Sequence, residues 1–175
     1  MRCRSLLLLV MLAGTASALP PSGYVPPESP AVEVHFSPRG GCQEAIVRLI
    51  TRARRSILLQ AYSFTSAPIA SALVAARTRG VDVRVVVDRS QRGPKSRSRT
   101  VRAGNVPVWI DSKHAIAHNK VIVIDGGIVS TGSYNFTQSA EVRNAENLII
   151  LRDTAIAAVY AENIKTHLAH SEPLR

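Results

Sequence analysis

From residue 32 onward the chain switches between runs of period two and runs of helical period, with Gly, Pro or charge clusters at the joints. Residues 32–36 alternate apolar and polar side chains and predict a strand. Gly40 and Gly41 then open a stretch in which Ala45, Ile46, Leu49, Ile50 and Ala53 recur at helical spacing, with Arg48, Arg52, Arg54 and Arg55 elsewhere, predicting a helix to about Arg55. Residues 57–62 predict a second strand, 68–79 an alanine-rich helix, and 81–87 a third strand entered through Gly80. This order, with short connections, predicts an α/β domain layered α/β/α around a mostly parallel central sheet. Residues 106–110, 118–124, 127–131 and 147–151 predict further strands and 154–167 a closing helix. Asp125-Gly126-Gly127 has hairpin chemistry, so the second half adds antiparallel pairing and the sheet is expected to be mixed. The chain contains no internal repeat.

The first 31 residues read differently. Arg2 and Arg4, an apolar run at 6–12 and then Ala16-Ser17-Ala18 form the three-part pattern of a secretory signal over residues 1–18. That apolar run is far short of the ~20 residues a membrane span needs. Residues 19–31 are a Pro-rich lead-in, which leaves 32–175 as a single domain in an exported, periplasmic or secreted, protein. Of the two cysteines, Cys3 lies in the signal; Cys42 remains and is expected as a small core side chain on a helix.

Removing Arg2 and Arg4 from the 22 basic residues leaves 20 against 12 acidic ones, a net charge of +8 that points to a polyanionic partner. Arg89, Arg92, Lys95, Arg97, Arg99 and Arg102 crowd a Ser- and Gly-rich segment suited to phosphates, although a solvated, mobile loop has the same composition. Aromatic residues make up only 5%, too few for a base-stacking platform, so contact with nucleic acid should run through the backbone. A phospholipid surface fits the charge as well.

In a strand at 118–124, His118 and Lys120 share one face, while Asn119, Val121, Val123 and Asp125 take the other. After the hairpin the returning strand ends near Ser133 and Asn135, two residues apart, so the turn brings imidazole, ammonium, hydroxyl and carboxamide together. Such a set suits a phosphoryl group, whose non-bridging oxygens need donors and positive charge. His114 and His118 stand four apart, a ligand spacing on a helix, but the segment reads as coil entering a strand and no third His, Cys or carboxylate is read at a ligand-like spacing nearby. A metal site is therefore not expected.

His118, Lys120, Asp125, Gly132, Ser133 and Asn135 fit the pattern H-x-K, four residues, D, six residues, G-S-x-N. The chain resembles the phospholipase D superfamily, and in particular its small secreted single-motif bacterial endonucleases. The resemblance implies a phospholipase D-like fold and a metal-independent phosphodiesterase without cofactor. It implies that His118 attacks phosphorus to give a phosphohistidine, that Lys120 and Asn135 bind phosphate oxygens, and that Ser133 assists them. Glu146 matches the family acid that hydrogen-bonds a catalytic imidazole. Asp125 and Gly132 would be structural. Family members of double length carry two motifs serving one site, so this single-motif chain is expected to work as a homodimer. DNA, and RNA as a second polymer, are the expected substrates; phospholipid hydrolysis and non-catalytic nucleic-acid binding are the alternatives.

Overall fold

A computed structural model describes residues 32–175; the signal and the Pro-rich lead-in lie outside the described residues. The elements follow in the order β1 (Val32–Ser37), α1 (Cys42–Arg52), β2 (Ser56–Ala61), α2 (Ala67–Thr78), β3 (Asp82–Asp88), a 3₁₀ turn (Arg89–Arg92), α3 (Ser98–Ala103), β4 (Val108–Asp111), β5 (Lys120–Ile124), β6 (Ile128–Gly132), α4 (Gln138–Val142), β7 (Glu146–Arg152), α5 (Thr154–His170) and β8 (Glu172–Pro173). They form an eight-stranded sheet in the order β1-β7-β6-β5-β2-β3-β4-β8. Helices cover both faces. Ile46, Ile50, Ile69 and Leu73 of α1 and α2 pack on Ile57, Leu59, Val85 and Ile122. On the other face Ala157 and Ile164 of α5 pack on Val86, Val121, Val123 and Val129.

The layered α/β/α expectation is met, but the sheet is mostly antiparallel. Only β2–β3 and β3–β4 pair in parallel; the other five pairings are antiparallel. The reason lies in β1. It precedes a helix and a strand as a parallel unit would, yet it pairs with β7 at the far edge, so the crossover unit runs from β2 to β4. The alternation in β1 is also inverted: Glu33, His35 and Ser37 are buried while Phe36 is 56% exposed. Glu33 is satisfied there by Arg48 and Arg152. Burial acts to raise its pKa, but the bonds and charges of Arg152, with His35 and Arg48, hold it below the usual carboxylate value.

Cys42 opens α1 fully buried, and burial pushes its thiol up to about 12, so it serves as core.

Asp125 has a structural task larger than its own hairpin. It adopts φ 53° beside Gly126 at φ 68°, the positive-φ pair of a tight turn. Its carboxylate accepts the backbone N–H groups of Arg54 (3.0 Å), Arg55 (2.7 Å) and Ser56 (2.9 Å), closing the α1–β2 connection. Asp125→Ala should therefore cost about 2–3 kcal/mol, below the sum of three fully buried charge-assisted bonds because the site is partly open to water. Burial acts to raise the pKa of Asp125, and those N–H groups more than reverse it, leaving it below the usual value. The carboxylate's stabilisation is thus complete above the unfolded-state pKa and is lost as pH falls through the folded one. Thermal denaturation of both proteins should show the difference at pH 7 and its shrinkage in acid; equal Tm values at pH 7 would contradict this role.

Candidate active site

The topology collects chemistry at one sheet edge. Parallel β2, β3 and β4 end there at Ala61, Asp88 and Asp111; β5 enters there at Lys120, β6 leaves at Gly132 and β7 enters at Glu146. The carboxyl ends of parallel strands are where open α/β sheets place ligands. A cleft of about 760 Å³ opens at this edge, lined by His118, Lys120, Ser133, Asn135, Glu146 and, from α5, Asn163. All five side chains expected to be catalytic therefore face one space.

His118 is exposed and Lys120 buried. Lys120 Nζ donates to the His118 carbonyl oxygen (2.6 Å) and lies 3.0 and 3.1 Å from the two ring nitrogens. An ammonium can only donate and a neutral imidazole has one lone-pair nitrogen, so only one of these two contacts can be a hydrogen bond. The Tyr62 ring lies tilted at 52° to the imidazole with centroids 4.5 Å apart, and Nζ sits over that ring 5.1 Å from its centroid. Burial lowers the Lys120 pKa while the charge of Glu146 opposes the change. A partly desolvated ammonium acts on nearby oxygens far more strongly than a hydrated one.

Two backbone bonds fix the segment that bears His118. Ala117 N–H donates to Asp88 Oδ2 (2.8 Å), and Tyr62 N–H donates to the Asn119 carbonyl (2.9 Å). Asp88 is 3% exposed, and its other oxygen accepts from Ser90 N–H (2.8 Å). Neither Asp88 nor Tyr62 is among the site residues that the sequence predicts. Both look like ordinary strand ends, and only their position at the common edge reveals them.

On the opposite wall Ser133 Oγ donates to Glu146 Oε2 (2.6 Å) and accepts from Asn147 N–H (3.0 Å), while Asn144 Nδ2 donates to Glu146 Oε1 (2.9 Å). Within one chain Glu146 thus bonds Ser133 and Asn144, not His118. Asn135 Oδ1 is buried with no hydrogen-bond partner among the described residues. Gly132 has φ 147°, and a Cβ there would collide with the Asn147 carbonyl, so the motif's glycine is what lets β6 and β7 close beside the site.

The basic segment is folded into the 3₁₀ turn and α3, with Ser98 and Val101 buried, so it is not an open solvated loop. Gln91 Oε1 accepts Phe64 N–H (3.0 Å), and Arg97 N–H donates to the Phe64 carbonyl (2.8 Å), seating the segment against the 62–65 turn beside His118. Its cations divide in two. Arg92 pairs with Glu172, Arg97 Nε donates to the Thr65 carbonyl and Arg102 Nε to that of Leu174. The side chains of Arg89, Lys95 and Arg99 are exposed and make no hydrogen bond or ion pair among the described residues. His114 does not join His118; it lies with Asp111, His167 and His170.

A hairpin that carries His118 and Lys120 into a cleft completed by Ser133, Asn135 and Glu146, on this mixed sheet, defines a phospholipase D-type domain. The chain belongs to the phospholipase D superfamily: residues 46–168 match the family described as cardiolipin synthase, PLD-like domain. Over 133 residues it is 45% identical to a protein named phospholipase D from Rickettsia felis, covering 75% of this chain and 66% of that one. It is 34% identical over 127 residues to the mitochondrial cardiolipin hydrolase of Xenopus tropicalis, covering 69% of this chain and 58% of that one. The crystal structure of Nuc, a phospholipase D family member from Salmonella typhimurium, superposes with a TM-score of 0.79 at 36% identity, covering 83% of this chain and 98% of that one. The chain therefore spans about two thirds of the Rickettsia relative, 58% of the Xenopus one and nearly all of Nuc.

Proposed function

We propose that this protein is an exported phosphodiesterase that hydrolyses DNA, and RNA as a second polymer, without strong sequence preference and at a site shared by two chains. The observation that carries this reading is the single cleft in which His118 touches Lys120 and faces Ser133, Asn135 and Glu146. A lone-pair nitrogen of His118 attacks phosphorus, the bond from phosphorus to the leaving oxygen breaks, and that oxygen takes a proton from His118 of the second chain. Water then attacks the phosphohistidine, giving its proton to the second imidazole, and the first imidazole leaves with its electron pair. Lys120 supplies the positive charge on the non-bridging oxygens, so the step needs no metal. Phe36, Ile156 and Val159 are exposed apolar side chains on the α5 side of the sheet, Val159 lining the cleft, and a second copy is the occupant that would both cover them and complete the site.

Arg89, Lys95 and Arg99 favour a long polyanion, because exposed cations whose side chains have no internal partners among the described residues remain available to successive phosphates. The names of the Rickettsia and Xenopus relatives favour a phospholipid instead. Plasmid DNA, cardiolipin vesicles and bis(p-nitrophenyl) phosphate separate the readings. DNA should be cleaved with a KM that rises about tenfold or more in the triple variant Arg89→Ala, Lys95→Ala, Arg99→Ala at physiological salt, with a shallower salt dependence; turnover of the small diester should barely change. Vesicle hydrolysis outpacing DNA cleavage, with an unaltered KM for DNA in the variant, would favour the lipid reading.

A further inference from the structure

Away from the motif, four side chains that the proposed chemistry leaves unused converge on one point. Asp111 ends β4 with its side chain fully buried. His114 Nδ1, His167 Nδ1 and His170 Nε2 approach its Oδ2 at 3.1, 2.7 and 3.3 Å, and one candidate ligand atom from each residue lies within 4.8 Å of all the others. The three rings lie 4.9–5.3 Å apart, centroid to centroid. Three donors on one oxygen exceed the two lone pairs it can direct, and Oδ1 already accepts Lys113 N–H at 3.0 Å. Four ligands held at ~2.0–2.1 Å from one zinc ion stand roughly 3.3 Å from each other, close to the spacing around Oδ2.

We propose that Asp111, His114, His167 and His170 form a closed four-ligand zinc site. Three neutral imidazoles and one carboxylate, without a thiolate, are a donor set that takes Zn²⁺ in tetrahedral geometry. The backbone bond from Lys113 orients the carboxylate, as an outer-shell partner should. His167 and His170, three apart on the last turn of α5, present both rings from one helix face, and the carbonyl end of a helix favours a cation. The half-exposed His114 leaves a path for entry.

With all four positions supplied by protein, the ion leaves no open position for substrate, so its role is structural. It joins the end of β4, the 112–117 segment and the last turn of α5. His114 lies four residues before His118, and Ala117 is already held by Asp88, so the ion would anchor the far end of the segment that delivers the nucleophile. The site stands apart from the substrate reading and from the metal-free chemistry at Lys120.

Untagged full-length protein, stripped with chelator and dialysed, is titrated with Co²⁺ and then Zn²⁺. One Co²⁺ per chain should bind with the intense visible absorption of a tetrahedral ion, and one Zn²⁺ should displace it. Zinc in hundredfold excess over its Kd should raise Tm by roughly 5–10 °C. His167→Ala with His170→Ala, and separately the milder His170→Asn, should abolish or weaken both responses, while His118→Ala should keep them. Failure of the parent protein to bind one tetrahedral ion per chain would overturn the proposal, and so would full binding by the double variant. Loss of binding in His118→Ala would overturn it too, by placing the metal in the catalytic cleft.

Discussion

Replacing His118 by alanine is expected to lower kcat on a phosphodiester by about 10⁴-fold or more, as removal of a covalent nucleophile does when the binding groups remain. The fold should tolerate the change: the imidazole is exposed, so its removal opens no core cavity, and Tm should move little. Lys120 differs because its ammonium is buried and bonded to the His118 backbone. Lys120→Met keeps the aliphatic volume and removes the charge, with an expected loss of about 10²–10³-fold, the usual cost of one transition-state donor. Turnover quenched in alkaline denaturant, where a phosphohistidine survives, should trap the phosphoryl group with its remaining ester on the parent chain and none on His118→Ala. A folded His118→Ala enzyme working within tenfold of the parent would remove the nucleophile assignment.

The second large effect concerns pairs of chains. A single chain brings one His118 and one Lys120 to its cleft, and within it Glu146 is engaged by Ser133 and Asn144. If the acid that protonates the leaving oxygen is the partner's His118, then mixing parent chains with excess His118→Asn chains yields heterodimers lacking either nucleophile or acid. Activity should then fall as the square of the parent fraction once subunits have exchanged. General acid assistance is typically worth ~10²–10⁴ in rate, so the heterodimer's residual activity should be small. A linear fall would show that each chain works alone. Because one imidazole must be neutral and the other protonated, kcat/KM should also follow a bell-shaped pH profile whose limbs belong to the pair.

The motif was legible in the sequence because its information is local: alternation on β5, a hairpin at Asp125 and a short return place four groups together with no long-range assumption. The partners of that hairpin were less legible. Asp125 was expected to tie down its own turn, yet it binds backbone some 70 residues earlier, which only the pairing of β2 with β5 determines. Sheet direction failed for the same reason, since nothing in residues 32–36 reveals that their partner is β7. Asp88 looked like one more strand end. In the sequence the only histidine near His114 is His118, whereas its companions His167 and His170 stand 56 and 59 residues beyond Asp111, on the helix that crosses back over the sheet.

The two outer strands of the sheet bear on how copies of this protein meet. At one margin β1 turns a carboxylate inward under Arg48; at the other, β8 is two residues long and ends in Pro173, which has no N–H to offer. Neither border is a template for adding another strand, because inward charges, brevity and proline are the means by which sheets discourage edge-to-edge growth. The homodimer proposed above would therefore meet not at the sides of the sheet but at the rim where the strands end, and contact through one rim patch on each copy would give a closed pair rather than a filament.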